Sequence, residues 1–220
     1  MHTPLADLEE LVLRSHSFFD TDAGLFFRKI RRLALDRPQR LQLLRRWVMP
    51  KLVDLAITSS SRPSDYWDTE ALDSLAPQLK TFSFCSSYHS VSSRSWRRFS
   101  SLEHLIVSAS NLMPDPLRSL PHQLQSLRMR ADESGSLDLQ RLLFAIRRCP
   151  PDTCPLEIVL PAMKALAPQT GLALNSQLLA EEERAHRTML AALCQEKEIE
   201  LRVLPLRKAP VEWLEEVLAV

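Results

Sequence analysis

The chain has 220 residues, with 28 Lys and Arg against 27 Asp and Glu, so its formal net charge is +1. This balance argues against a dedicated nucleic-acid binder, and a 45% hydrophobic composition excludes a disordered chain. The three glycines, Gly24, Gly135 and Gly171, stand far apart in the sequence. Glycine-rich phosphate loops, including the dinucleotide-binding fingerprint, are therefore excluded.

Apolar side chains recur in triplets along the chain, in the pattern apolar, two residues, apolar, one residue, apolar. Six copies start 22, 22, 27, 23 and 22 residues apart: Leu8-Leu11-Leu13, Ile30-Leu33-Leu35, Leu52-Leu55-Ile57, Leu79-Phe82-Phe84, Leu102-Leu105-Val107 and Leu124-Leu127-Met129. A degenerate seventh copy is Leu156-Ile158-Leu160, and a possible eighth is Ile199-Leu201-Val203. Alternating apolar residues indicate short strands, and units of this length leave room for a return segment between parallel strands.

The segments between the triplets show helical spacing. Gln39–Trp47 is predicted to place Leu41, Leu44 and Val48 on one face, and Thr69–Leu75 to place Leu72 and Leu75 inward. The clearest predicted helix is Leu137–Cys149, with inward residues Leu139, Leu142, Leu143 and Ile146. Proline follows or ends several of these segments, at Pro50, Pro77, Pro121, Pro150 and Pro151, where it stops a helix before the next strand.

Two helices are predicted near the end of the chain. Asn175 or Ser176 is expected to cap a long helix that runs to about Lys197. Its apolar stripe is predicted as Leu179, Glu182, His186, Met189, Leu190 and Leu193. Residues 206–220 then contain a short amphipathic helix opened by Pro210, which we expect to cap the apolar end of the repeat array.

The repeated motif resembles the leucine-rich repeat, LxxLxLxxN, closely over residues 5–130 and loosely afterwards. The resemblance implies an α/β solenoid, with a parallel β-sheet on the concave face and short helices and loops on the convex face. We therefore predict about seven to eight irregular repeats over residues 1–205 and a capping helix over 206–220. The family's ninth position, usually Asn, holds His16, Pro38, Ser60, Ser87, Ser110 and Asp132 in this chain.

In such a repeat, the third, fifth and seventh residues of each motif point out from the concave sheet face. The position-3 row reads Glu10, Arg32, Asp54, Thr81, His104 and Ser126. The position-5 row reads Val12, Ala34, Ala56, Ser83, Ile106 and Arg128. The position-7 row reads Arg14, Asp36, Thr58, Cys85, Ser108 and Arg130. We interpret these rows as a partner-binding surface, with a small apolar floor flanked by charges; the alternative is a ladder of charges that pair with one another.

The expected function is non-catalytic protein recognition, without a cofactor. The irregular repeats, rich in Pro, Ser and Arg, resemble the repeat regions of eukaryotic F-box proteins, which select substrates for ubiquitin ligases. The F-box itself is not visible in the sequence. Two alternatives stay open: a regulator of a small GTPase, with Arg37 as its exposed arginine, and an adaptor that binds an acidic partner through Arg28, Lys29, Arg31 and Arg32.

The histidines and cysteines give no pattern of a metal site or of a catalytic site. The six histidines lack HxxxH spacing and no CxxC motif is present, so no metal site is expected. Cys85 and His104 could approach each other across neighbouring strands, but nothing suggests an oxyanion hole. Cys149 and Cys154 could form a disulfide, although reduced thiols are favoured.

With no apolar run of ~18 residues and no basic N-terminal signal, we expect a cytoplasmic or nuclear protein.

Overall fold

The structure is a computed structural model. It describes residues 7–14, 24–36, 41–59, 72–86, 98–108, 120–121, 123–130, 137–150, 154–162 and 173–204. These residues form an α/β protein with one eight-stranded parallel sheet, which is not closed into a barrel. Strands that follow each other along the chain are neighbours in the sheet throughout, as short crossover segments between parallel strands require.

The strands begin at the third residue of each motif. They are β1 (Glu10–Arg14), β2 (Arg32–Asp36), β3 (Asp54–Ser59), β4 (Thr81–Ser86), β5 (His104–Ser108), β6 (Ser126–Arg130), β7 (Glu157–Pro161) and β8 (Glu200–Leu204). The fourth motif position is in register across the whole sheet, through Leu11, Leu33, Leu55, Phe82, Leu105, Leu127, Ile158 and Leu201. The 27-residue interval before β4 therefore causes no slip in register.

The apolar triplets form the hydrophobic core, as predicted. From the second copy to the sixth, all three members of each triplet are buried and belong to one continuous cluster. Leu8, Leu11 and Leu13 of the first copy are partly buried and pack against that cluster. Because parallel strands lie ~4.8 Å apart, equivalent side chains of adjacent copies stack directly on one another.

The backbone repeats the same hydrogen bonds from one strand to the next. The carbonyl of Glu9 accepts bonds from the N–H groups of Arg31 and Arg32, at 2.8 and 3.1 Å. In the following copies, the carbonyl at the same motif position accepts two bonds from the next copy in the same way. These carbonyls belong to Arg31, Val53, Lys80 and Glu103. Before each of the strands β3 to β6, the N–H of the first motif residue also donates a hydrogen bond to the carbonyl three residues earlier. These carbonyls belong to Met49, Ala76, Phe99 and Pro121. Successive copies therefore enter the sheet with the same local geometry.

A further column of core residues lies three residues before the second to fifth triplets. Phe27, Met49, Ala76 and Phe99 are all buried there. Phe99 stacks on Phe82 with ring centroids 5.0 Å apart. This column was not predicted, although it recurs with the period of the triplets.

The return segments before β3 and β4 are tighter than predicted. Leu41–Arg46 is a 3-10 helix. With about three residues per turn, Leu44 is followed on the buried side by Trp47, whereas Val48 is exposed. The prediction for Val48 was therefore wrong. Leu72 and Leu75 are buried as predicted, and the 3-10 helix Ala76–Gln78 follows them.

The first α-helix, α1 (Leu139–Arg148), joins β6 to β7. Its N-terminus is capped by Asp138, whose side chain accepts a hydrogen bond from the Arg141 N–H at 2.9 Å. The predicted inward residues Leu139, Leu142, Leu143 and Ile146 are buried. This prediction is confirmed within two residues at each end.

The second α-helix, α2 (Ala173–Glu196), joins β7 to β8 and packs on α1. It begins before Asn175 and Ser176, so neither residue is its cap. Among its side chains from residue 178 onward, which the structure describes, Leu190 and Cys194 are buried, whereas Leu179 and Met189 of the predicted stripe are exposed. The helix closes at Glu198, where φ is +58° and the following N–H bonds back to the carbonyl of Cys194 at 2.8 Å.

The C-terminal end of the sheet departs from the regular pattern. In the seventh copy Pro155 is buried and Leu156 is exposed, so the first apolar position lies one residue earlier than predicted. On β8, Val203 is more than half exposed. The predicted capping helix over 206–220 and the ninth motif positions lie outside the described residues, so these remain predictions.

Candidate partner-binding face

The face of the sheet opposite the hydrophobic core carries the three predicted rows, and we call it the outer face. The register aligns the position-3 row from Glu10 through Arg32, Asp54, Thr81, His104 and Ser126. The position-5 row is aligned in the same way from Val12 to Arg128. The predicted residues of these two rows are thus direct neighbours across adjacent strands.

Charges in the position-3 row pair with one another at the N-terminal end. Arg32 Nη1 lies 2.8 Å from Glu10 Oε1, and Arg32 Nε lies 3.5 Å from Asp54 Oδ2. Exposed pairs of this kind contribute only ~0.2–1 kcal/mol each. This end of the row therefore has the self-paired arrangement that the sequence left open, with little net charge to offer a partner.

The middle of the position-5 row is buried. Relative exposure is 0% at Ala34, 1% at Ala56 and 0% at Ser83, and Ile106 is also buried. Among the described residues, the Ser83 hydroxyl has no hydrogen-bond partner. The floor of small groups expected to meet a ligand is therefore closed, because a partner cannot contact side chains that solvent does not reach.

The ends and margins of the outer face are accessible. Val12 is exposed on the edge strand β1, and Arg128 and Arg130 are half-buried on β6. Thr81 and His104 are half-buried on β4 and β5. Polar groups that solvent reaches therefore extend along the face from Glu10 on β1 to Arg130 on β6.

The position-7 row is described mainly by its backbone. Arg14 pairs in register with Asp36, and Ser108 pairs in register with Arg130. The register rules out the Cys85–His104 approach. His104 is opposite Thr81, four residues before Cys85, which is about 13 Å along the strand.

The outer face continues onto β7 and β8, beyond the residues that the sequence analysis identified. Glu157 and Glu200 extend the position-3 row, and Val159 and Arg202 extend the position-5 row. Arg202 Nε lies 2.8 Å from Glu157 Oε1 and 2.9 Å from Glu200 Oε1. The phase of the possible eighth triplet already placed Glu200 and Arg202 at these positions, so the signal was present in the sequence.

The basic residues proposed for an acidic partner separate into two environments. Arg28 and Arg31 are exposed. Lys29 pairs with Asp7 at 2.7 Å, and Arg32 belongs to the charge ladder. Arg37 lies outside the described residues. Within the described ranges, no three His, Cys, Asp or Glu side chains converge as a metal site requires.

Three thiols lie where α1, the segment before β7 and the end of α2 meet. Cys149, Cys154 and Cys194 are not disulfide-bonded, and Cys149 and Cys194 are buried. Both the Cys154 thiol and the Lys197 ammonium bond to the carbonyl of Cys149, at 3.8 and 2.9 Å. Burial, reinforced by neighbouring Cys154, raises the pKa of the Cys194 thiol to about 11.

We expect the stability of the protein to fall above pH 9 through Cys194. The folded thiol keeps its proton up to about pH 11, whereas the unfolded thiol loses it near its ordinary pKa of 9.0. The contribution of the protonated Cys194 thiol to the free energy of unfolding is therefore complete below the pKa of the unfolded thiol. It is lost as the pH rises through the pKa of the folded thiol. Urea unfolding of wild type and Cys194→Ala across this range measures the effect. Equal pH dependence in the two proteins would contradict it.

No family model, curated protein or solved structure matches the chain. In the part of the chain that the structure describes, none of the helices is long and apolar enough to cross a bilayer.

Proposed function

We propose that the chain is a leucine-rich-repeat solenoid that recognises a protein partner through the outer face of its sheet, without catalysis. The observation that carries the proposal is the register, which holds the third and fifth motif positions in line across neighbouring strands. Stacked repeats of this kind provide extended surfaces whose side chains vary while the core is retained. In such a solenoid the outer face is the concave one.

The partner is expected on β4 to β6 rather than on the N-terminal strands. There Thr81, His104 and Ser126 are half-buried neighbours in the position-3 row, and Arg128 and Arg130 lie beside them. On β1 to β3, Glu10, Arg32 and Asp54 already pair with one another. An aligned set of polar and cationic groups beside a partly apolar row suits a polar or acidic protein surface.

Within this class, we propose the substrate-recognition region of an F-box-type ubiquitin-ligase adaptor. The support is the irregularity of the repeats, with return segments that range from a short 3-10 turn to the 24-residue helix α2. Copurification of ubiquitin-ligase subunits with the tagged protein tests this narrower proposal. Their absence from a complex that still holds a specific partner would leave recognition intact and remove the ligase assignment.

The test of the outer face is a pair of matched double variants. Thr81→Arg with Ser126→Arg places two bulky cations on the proposed binding surface. Gln140→Arg with Gln195→Arg places two arginines at exposed positions of α1 and α2 instead. Affinity capture with each protein, after thermal melting has confirmed folding, should lose the partner only with the first pair. Equal capture by both variants would show that the partner binds elsewhere.

A further inference from the structure

A second surface lies away from the outer face, where the return segments before β2 and β3 run side by side. Phe26 and Val48 form an isolated parallel bridge, and their neighbours share further bonds: the Phe27 N–H with the Val48 carbonyl at 2.9 Å, and the Val48 N–H with the Leu25 carbonyl at 2.8 Å. The two segments therefore form a short parallel ribbon. Its alternate residues Phe27 and Met49 are buried, which turns Phe26 and Val48 outward.

This ribbon presents an apolar pair beside basic groups. Phe26 is 63% exposed and Val48 is 52% exposed. Arg28 lies two residues after Phe26, and Arg46 lies two residues before Val48. Both arginines are also exposed. Over residues 24–36 and 41–51 the sequence has seven basic side chains and one acidic side chain, Asp36. We call Phe26, Arg28, Arg46 and Val48 the basic ribbon.

The start of α2 has the complementary composition. Leu178 and Leu179 are 58% and 63% exposed, and three glutamates follow at 181–183. Leu178, Glu181 and Glu182 lie three and four residues apart, so they share one face of the helix. All three are exposed. This acidic face therefore has an apolar contact flanked by carboxylates, as the basic ribbon has an apolar contact flanked by cations.

The two surfaces are far apart in one molecule. The basic ribbon precedes β2 and β3, whereas α2 joins β7 to β8. Four strand spacings separate β3 from β7, which is about 19 Å along a continuous sheet. A contact between the two surfaces is therefore intermolecular.

We propose that a second copy of this chain docks the acidic face of its α2 on the basic ribbon. The contact is head-to-tail, because different surfaces meet, so it builds open chains of molecules, or a ring where the rotation closes. Apolar contact between Leu178 and the Phe26–Val48 pair is flanked by Arg–Glu pairs, which is the arrangement of a small interface with an apolar centre and a polar rim. This surface is separate from the outer face, so failure of either proposal leaves the other standing.

Sedimentation velocity over a concentration series tests the proposal with two reversed-charge variants. Arg28→Glu with Arg46→Glu reverses the ribbon, and Glu181→Arg with Glu182→Arg reverses the helix face. Wild type should associate as concentration rises and less so at high salt. Each variant alone should bind itself at least about tenfold more weakly, because like charges then meet. An equimolar mixture should associate again, since the unchanged helix of one variant meets the unchanged ribbon of the other.

A matched control separates the local contact from overall charge. Arg31→Glu with Lys51→Glu makes the same charge change at exposed positions outside the basic ribbon and should associate as wild type does. Circular dichroism melting confirms that each variant is folded. Wild type that remains monomeric at every concentration would overturn the proposal. So would variants that fail to restore association when mixed, or a control that loses it.

Discussion

Replacing Phe82 by alanine should lower the free energy of unfolding by about 3–5 kcal/mol. Phe82 is fully buried at the fourth motif position of β4. It stacks on Phe99 at 5.0 Å between ring centroids and lies 6.3 Å from the Phe84 ring. Removing the ring opens a cavity in the middle of the continuous core, and the flanking strands cannot collapse into it without losing register. Urea unfolding followed by circular dichroism measures the loss.

Phe144→Ala is the control for that measurement. Phe144 lies on α1 with 44% of its surface exposed, and its ring packs under the Arg148 guanidinium at 4.1 Å. Its removal should cost about 1 kcal/mol or less, because an exposed cation–π contact contributes little. Equal effects of the two substitutions would show that Phe82 is not in the core.

Replacing Ala56 by arginine should destabilise the protein by at least about 2–3 kcal/mol. Ala56 is 1% exposed and lies in the position-5 row between Ala34 and Ser83, both fully buried. A long cation at this site must either displace its neighbours or remain unpaired away from water. Thermal melting and urea unfolding measure the effect.

The matched control is Val12→Arg. Val12 occupies the same row on the edge strand β1 and is exposed. Its replacement should change the free energy of unfolding by no more than about 0.5 kcal/mol. If Ala56→Arg is as well tolerated as Val12→Arg, the centre of the row is open to solvent and the outer face has the accessible floor that the sequence indicated.

The strand pattern could be predicted because it depends on side-chain burial alone. Leu33, Leu55 and Leu105 lie at constant intervals, and a parallel sheet in chain order buries equivalent positions together. The alternation along each strand then assigns every other residue to the outer face. Both the register and the membership of the rows follow from that phase.

Other features depend on geometry that the triplets do not encode. Trp47 rather than Val48 is buried because the segment before it is a 3-10 helix, with three residues per turn instead of 3.6. Ala34 and Ala56 are buried because longer neighbouring side chains shield short side chains in the middle of a sheet. The alternation along a strand assigns both residues to the outer face but does not show this shielding. The accessible part of the candidate site was therefore predicted less well than the sheet that carries it.

The most direct test of the fold and of the face it creates is the set of interstrand contacts seen by nuclear magnetic resonance. In a deuterated sample, nuclear Overhauser effects between backbone protons should connect β3 to both β2 and β4 in parallel register, with Leu55 opposite Leu33 and Phe82. The amides of Asp54 and Thr81, bonded to Arg31 and Val53, should exchange slowly with solvent. Contacts of helical or antiparallel pattern among these residues would contradict the parallel sheet and the function proposed for its outer face.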